Sequence, residues 1–202
     1  RVVLGIDAAW TAHNPSGVAL APSYDAFLAL AAGTPLDGSQ KAQGSEPDPE
    51  ALLEACQQLA GQAVDCVSVD MPLAATPITS RRAADTAIAS RFGPKGCAVH
   101  SPSAERPGAI ADQLRERFAE LGVPLHTTTP ARQGPAMIEG YPHVALLALL
   151  NRDYRVPYKV SRSAQYWKEE QPPMNERIRR LLAEFTAIHQ ALSQRISAIP
   201  LT

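Results

Sequence analysis

Short apolar runs alternate with polar segments along the chain, and three of these runs end in a carboxylate. They are Val2-Val3-Leu4-Gly5-Ile6-Asp7, Val67-Ser68-Val69-Asp70 and Ala136-Met137-Ile138-Glu139. Each run has the length of a buried strand. Carboxyl ends of parallel strands meet at one edge of a sheet, and neighbouring strands lie about 4.8 Å apart. We therefore expect Asp7, Asp70 and Glu139 to lie close together.

The first 70 residues predict an antiparallel meander followed by a parallel strand. Apolar residues resume after a turn at 14–17, break at Pro22-Ser23 and resume again at 24–31. A surface loop is expected over 33–49, and Asp48-Pro49 predicts the start of a helix of about 13 residues. A helix between two strands can place the second strand parallel to the first through a right-handed crossover.

Helices dominate the rest of the chain. Residues 72–135 are interpreted as an inserted helical region between two strands of the sheet. Residues 142–150 are apolar nearly all round and predict a buried helix, and 174–196 carry the clearest helical periodicity. Because 202 residues suffice for one sizeable core, we expect a single α/β domain over 1–202.

Composition gives no global field that would attract nucleic acid, since the formal net charge is only −1. The charge is nevertheless unevenly distributed. Residues 1–80 carry 2 Lys/Arg and 9 Asp/Glu, whereas residues 81–202 carry 17 and 11. A phosphate-bearing partner would bind at the basic clusters of the second half. These are Arg81, Arg82, Arg91, Lys95 and Arg106, and then Arg152, Arg155, Lys159, Arg162 and Lys168.

The cysteines indicate a reducing compartment. Cys56, Cys66 and Cys97 show no C-x-x-C spacing, so neither a disulfide framework nor a zinc ribbon is expected. The chain also shows no apolar stretch of about 20 residues and no signal-peptide pattern. We therefore expect a cytoplasmic protein without a membrane segment.

Six short motifs follow one another over residues 2 to about 168. They are Gly5-Ile6-Asp7-Ala8-Ala9-Trp10, Asn14-Pro15-Ser16-Gly17-Val18-Ala19, Val69-Asp70-Met71-Pro72-Leu73, Arg82-Ala83-Ala84-Asp85, Glu139-Gly140-Tyr141-Pro142-His143 and Tyr158-Lys159. Together they resemble the domain-of-unknown-function family four-two-nine, described as predicted nucleases of the RNase H-like fold. The resemblance and the element order imply an RNase H-like mixed five-stranded sheet, in which an antiparallel three-strand meander precedes parallel strands and helices cover both faces.

The carboxylates suggest metal-dependent hydrolysis. Two-metal phosphodiester cleavage needs carboxylates that converge on closely spaced ions, and Mg²⁺ or Mn²⁺ suits an all-oxygen site. We expect Asp7, Asp70 and Glu139 to be catalytic metal ligands. His143, at a helix start near Glu139, is either a general acid or proton shuttle or a buried structural histidine.

Other side chains near the carboxylates are candidates for substrate contact. We expect phosphate or base contacts from Arg82, Lys95, His100, Tyr141 and Lys159. Asp85 is either a further ligand or the partner of Arg82 in an Arg-Asp pair, and the pair is favoured. Trp10 could stack on a base, although packing at the sheet edge is favoured for it.

The leading hypothesis is a divalent-metal-dependent nuclease or phosphodiesterase acting on nucleic acid. The family resemblance also implies an Asp-containing segment near the end, where the final helix offers only Glu184. One alternative is a non-catalytic RNase H-like binding or scaffold domain. Another is a fragment of an actin-like or sugar-kinase-type phosphotransferase, which would need a second such domain and Gly-rich phosphate loops. The sequence predicts no oligomeric state.

Overall fold

The computed structural model describes residues 1–10, 16–23, 26–30, 48–127 and 134–196. Within these ranges the strands are β1 (Val3–Asp7), β2 (Gly17–Ser23), β3 (Ala26–Leu30), β4 (Cys66–Val69) and β5 (Ala136–Glu139). The helices are α1 (Pro49–Ala60), α2 (Ala83–Phe92), α3 (Ala109–Glu120), α4 (Pro142–Leu150), α5 (Ser163–Tyr166) and α6 (Met174–Ser193).

The strands form one mixed, open sheet in the order β3-β2-β1-β4-β5. β2 pairs antiparallel with both β1 and β3, whereas β4 pairs parallel with both β1 and β5. The predicted α/β class, with antiparallel and parallel strands together, is confirmed. The crossover from the meander to β4 passes through α1, and α2 and α3 lie between β4 and β5 in the chain.

The core packs against one face of the sheet. Val2, Leu4 and Ile6 are at most 2% exposed, whereas the two residues between them are partly buried. This alternation is the period of a strand with one well-covered face. Cys56 of α1 and Phe118 of α3 belong to the same buried cluster and are fully inaccessible. These two helices therefore contribute the apolar layer opposite the sheet.

Helix α1 begins and ends with capping interactions. An Asp48 side-chain oxygen accepts a hydrogen bond from the backbone amide of Glu50 over 3.2 Å, and Pro49 occupies the first turn. Gly61 ends the helix at φ 69°, a left-handed conformation that suits glycine. The start predicted from Asp48-Pro49 is confirmed.

Strand β2 runs through Ser23, so the predicted break at Pro22-Ser23 is wrong. The pairing of β2 with β3 shifts register between Leu20 and Ser23. Such an irregularity lets a strand accommodate a proline, which cannot donate a ladder hydrogen bond. Most of the turn expected at 14–17 and of the loop expected at 33–49 lies outside the described residues.

Helix α4 is covered on one side only, which corrects the prediction of burial all round. His143 and Leu147 are buried, but Ala145 and Ala148 are exposed. An almost wholly apolar helix gives no pattern to tell its covered side from its open one. In the structure α4 packs against α6.

Cys56 and Cys97 are buried, Cys66 is partly buried, and all three thiols are free. Among the helices described, none is both long enough and apolar enough to cross a membrane.

Candidate functional site

Strand register brings the predicted carboxylates to one edge of the sheet. Asp7 is the last residue of β1, Glu139 is the last of β5, and Asp70 follows the last residue of β4. The backbone amide of Asp70 donates to the carbonyl of Ile6 over 2.8 Å, and Val69 pairs with Glu139 across the parallel strands. All three carboxylates line one cavity of about 610 Å³, which we call the edge cavity.

The edge cavity gathers charges of both signs from distant parts of the chain. Its acidic lining residues are Asp7, Asp70, Asp85 and Glu139, and its basic ones are Arg82, Arg106, Arg155, Lys159 and Arg162. The first two acids come from the acidic N-terminal part of the sequence, and every one of these cations comes from the basic part. The acidic and the basic parts of the sequence therefore both contribute charged side chains to this cavity.

Asp70 is partly buried, and its surroundings disfavour the charged form. Burial raises the pKa of Asp70 to about 6, and the negative charges of Asp7 and Glu139 act in the same direction. The positive charge of Lys159 acts against them. A further cation beside Asp7 and Asp70 would favour the ionised form and relieve their repulsion.

Glu139 is held by Arg82 in a two-bond ion pair. Arg82 Nη1 lies 2.6 Å from Glu139 Oε2, and Nη2 lies 2.8 Å from Oε1. The backbone amide of Leu73 also donates to Oε2 over 2.9 Å. These contacts neutralise Glu139 and fix its orientation, so this carboxylate differs from Asp7 and Asp70 in already having a cationic partner.

Arg82 also binds Asp85, which is only 3% exposed. Arg82 Nη2 lies 2.6 Å from Asp85 Oδ1, and Nε lies 3.0 Å from Oδ2. Burial works to raise the pKa of Asp85, but hydrogen bonds from the side chain and backbone of Arg82 outweigh it and lower the pKa. The Arg82-Asp85 pair favoured from the sequence is confirmed. Arg82 thus ties the start of α2 to the end of β5.

His143 is buried and neutral. Its Nε2 lies 2.9 Å from Arg155 Nη2, and because a guanidinium only donates, Nε2 must accept and Nδ1 carries the proton. Burial, followed by the positive charges of Arg155, Lys159 and Arg162, lowers the pKa of His143 to about 4. A neutral imidazole in this position favours the structural role over that of a general acid at neutral pH.

Four of the five residues expected to contact substrate line the edge cavity, namely Arg82, His100, Tyr141 and Lys159. Lys95 is not among the lining residues, and its Nζ lies 3.7 Å from Asp153 Oδ1. The Tyr141 hydroxyl donates to the carbonyls of Cys97 and Ala98, so it anchors these two residues, which follow α2, to the start of α4. Burial raises the pKa of Tyr141 to about 12, which keeps the hydroxyl protonated as a donor.

Three cations in the edge cavity were not expected there individually. Arg106, Arg155 and Arg162 belong to the two basic clusters of the sequence, but their spacing does not show which members face the carboxylates. Arg106 lies over the ring of Trp10, with its Cζ 5.8 Å from the ring centroid. Trp10 itself packs against the core cluster, in agreement with the favoured packing role.

Asp7 and Asp70 provide carboxylate oxygens of the kind that bind divalent metals, whereas Glu139, the third predicted ligand, is bound to Arg82. Their hard carboxylate oxygens suit Mg²⁺ or Mn²⁺, and the raised pKa of Asp70 comes first from burial and then from the negative charge of Asp7. Across the ranges that the structure describes, no three His, Cys, Asp or Glu side chains are grouped closely enough to hold a metal ion. A metal here would rest on two carboxylates, with further ligands from water or substrate.

Comparison with known proteins identifies the family. No curated protein and no solved structure matches the chain. Residues 5–198 match the family described as "Protein of unknown function (DUF429)", a span that includes every residue of the edge cavity discussed above. The chain belongs to the DUF429 family.

Proposed function

We propose that this protein is a divalent-metal-dependent hydrolase of phosphodiester bonds in nucleic acid, built on an RNase H-like fold. The observation that carries the proposal is the position of Asp7 and Asp70 at adjacent parallel strand ends, in a cavity also lined by cations that have no carboxylate partner among the described residues. Carboxylates that bind a metal and cations that bind phosphate are the two components that this reaction needs.

The sheet order supports the RNase H-like assignment. An antiparallel β3-β2-β1 meander continues into parallel β4 and β5, with β1 in the centre. This arrangement places the first and fourth strands side by side, and their carboxyl ends carry Asp7 and Asp70. Ligands of open α/β sheets bind beyond such strand ends, which is where the edge cavity lies.

Asp7 and Asp70 would hold Mg²⁺ or Mn²⁺, and Glu139 would act through Arg82. A bound divalent cation supplies charge neutralisation at the phosphate and activation of water. Arg82 is fixed on both sides by Glu139 and Asp85, so its guanidinium is held rigidly at the cavity wall. All five of its N–H groups donate to Asp85, Glu139 or the carbonyl of Leu73, so Arg82 positions these carboxylates and leaves phosphate contact to the other cations of the lining.

A non-catalytic nucleic-acid-binding domain is the second candidate. The ion pair of Glu139 with Arg82 favours it, since one of the three predicted ligands is already neutralised. The basic lining of the cavity would serve binding equally well.

A cleavage screen separates the two candidates. Single-stranded, duplex and branched DNA and RNA are incubated with the protein and Mg²⁺ or Mn²⁺, with EDTA as the blank. We expect metal-dependent cleavage that falls at least about 100-fold in Asp7→Asn and Asp70→Asn. Asp153→Asn is the matched control, since Asp153 is fully exposed and does not line the edge cavity.

Each outcome has a distinct meaning. Tight binding without cleavage of any substrate supports the binding domain. Cleavage that survives both aspartate substitutions contradicts the proposed site, and the absence of both binding and cleavage contradicts both candidates.

A further inference from the structure

Five Lys/Arg side chains and four carboxylates line the edge cavity, and the cations are unevenly partnered. Asp85 and Glu139 are both paired with Arg82, which leaves Asp7 and Asp70 as the remaining acids of the lining. Against them stand four cations with no described carboxylate within 4.0 Å, namely Arg106, Arg155, Lys159 and Arg162. A divalent cation at the two aspartates would increase this positive excess further.

Elsewhere in the described chain, arginines are commonly paired with acids. Arg115 contacts Asp112 and Glu116, Arg117 contacts Asp48, and Arg180 contacts Glu170 and Glu176. Three of the unpaired cations, in contrast, lie within eight residues of each other in the segment 155–162. Like charges repel one another, and a bound anion would relieve that repulsion.

The segment 155–162 is held in place by backbone contacts. The amide of Arg155 donates to the carbonyl of Lys95 over 2.9 Å, and that of Lys159 donates to the Tyr166 hydroxyl over 3.1 Å. The amide of Arg162 donates to the carbonyl of Lys159 over 2.9 Å and closes a 3₁₀ turn. The three cations therefore project from a preorganised backbone, which lowers the cost of binding.

Lys159 connects this group to the carboxylates. Its charge lowers the pKa of both Asp70 and His143, and all three residues line the edge cavity. Arg155 is oriented by His143 Nε2 and by the carbonyl of Gly96 at 3.4 Å. The three cations thus line the same cavity as Asp7 and Asp70, but none of them forms an ion pair with either carboxylate.

We propose that Arg155, Lys159 and Arg162 form an anion subsite that receives a terminal phosphate monoester of the substrate, beside the phosphodiester at Asp7 and Asp70. A phosphodiester carries a single negative charge, whereas a terminal monoester carries close to two charges and three acceptor oxygens, which suit three neighbouring cations better. The assignment of the ligand as a nucleic-acid end rests on the proposed function, but the anion subsite itself does not.

The test measures binding in EDTA, so that it does not depend on a metal. The probes are inorganic phosphate and three otherwise identical short DNA strands with a 5′-phosphate, a 3′-phosphate or only hydroxyl ends. We expect a strand with one of the terminal phosphates to bind about 10-fold more tightly than the hydroxyl-ended strand. In Arg162→Gln and Lys159→Gln the preference should fall to about 2-fold or less.

Lys168→Gln is the matched control, because Lys168 lies in the same basic cluster and does not line the edge cavity. Arg162 is exposed, so its substitution leaves the folded core intact. Equal binding of the three strands overturns the proposal even if inorganic phosphate binds. A preference that persists in the Arg162→Gln, Lys159→Gln double variant overturns it as well.

The two proposals fail in different ways. The preference for a terminal phosphate should persist in Asp70→Asn, where metal-dependent cleavage is expected to be lost. A preference without any cleavage by the wild type rejects the hydrolase and retains the subsite. Cleavage without a preference rejects the subsite and retains the hydrolase.

Discussion

At the scale of single residues, Asp70 combines partial burial with two neighbouring negative charges. A folded-state pKa near 6, against about 3.8 when unfolded, means that ionised Asp70 opposes folding. This unfavourable contribution to the free energy of folding is small below pH 4, grows between pH 4 and 6, and is fully present at pH 7. A residue that destabilises its own fold in this way is often functional.

Asp70→Asn should therefore stabilise the metal-free protein at pH 7. The expected gain is about 1 kcal/mol after allowance for solvent screening, or about 2 to 4 °C in Tm. The gain should be much smaller at pH 4, where the wild-type carboxyl is protonated in the folded state and only partly ionised in the unfolded state. Thermal unfolding in EDTA at the two pH values measures it, and equal or lower stability of the variant at pH 7 would refute this explanation.

His143 gives an independent test of the electrostatics. With its pKa lowered to about 4, the folded protein resists protonation of this ring, so the contribution to stability falls as pH drops from about 6.5 towards 4. Imidazole ¹⁵N spectra should show a neutral ring at pH 6 with the proton on Nδ1, and His143→Gln assigns the signal. A midpoint near pH 6.5, or a proton on Nε2, would contradict the contact with Arg155.

Sequence patterns predicted where the carboxylates lie but not how they are paired. Asp7, Asp70 and Glu139 each end an apolar run, and strand ends are readable from such runs. The bond between Arg82 and Glu139 joins residues 57 positions apart, and nothing in the local sequence indicates it. The sequence left the role of His143 undecided for the same reason, since its contact with Arg155 is formed only by tertiary packing.

At the scale of elements, Arg82 joins the end of β5 to the start of α2. Its loss would leave Asp85 buried without its partner and Glu139 without its cation. Arg82→Ala should lower the free energy of unfolding by about 3 to 5 kcal/mol in urea titrations. The exposed neighbour Arg81 serves as control, and we expect Arg81→Ala to cost about 1 kcal/mol or less. Similar losses for the two variants would contradict the structural role of Arg82.

The loop around Gly96 supports the segment that carries Arg155. Gly96 has φ 73°, and an added Cβ would lie 2.8 Å from Tyr154 Cζ and 3.1 Å from Arg155 Cβ. Gly122 has a similar φ of 80° but nothing within 4 Å of such a Cβ. Both Gly→Ala changes incur backbone strain of about 1 kcal/mol, and only Gly96→Ala also displaces its neighbours.

Gly96→Ala should therefore destabilise the protein by about 1 kcal/mol more than Gly122→Ala in urea unfolding. It should also weaken phosphate binding at the 155–162 segment, which Gly122→Ala should leave unchanged. Equal destabilisation by the two changes would show that the Tyr154 contact has no energetic weight.

The positions of helices could be predicted, as for α4 over Pro142–Leu150, but which side of a helix is covered could not. The α1 start at Asp48-Pro49 follows from local capping chemistry, which the sequence shows directly. The uniformly apolar α4 gave no indication of its open side. In α6 the periodic residues Ile178 and Leu182 are about half exposed, because a helical period marks an apolar stripe without showing whether a neighbour covers it.

At the scale of the whole molecule, the sheet brings an acidic and a basic part of the chain together. The mixed sheet could be predicted, because the order of apolar runs and the crossover helix fix which strands are parallel. Which residues line the cavity could not be predicted, since Arg106 reaches it from one segment of the chain and Arg155 and Arg162 from another. The result is a cavity lined by two aspartates and by several cations that form no ion pair within the described part of the chain.

The central claim is that Asp7 and Asp70 together bind a divalent cation at this edge of the sheet. Calorimetric titration of the protein with Mn²⁺ tests it most directly, alongside Asp7→Asn, Asp70→Asn and the distant control Asp153→Asn. We expect saturable binding by the wild type and the control, weakened at least about 10-fold in either cavity variant. No binding by the wild type, or equal binding by all four proteins, would contradict the account.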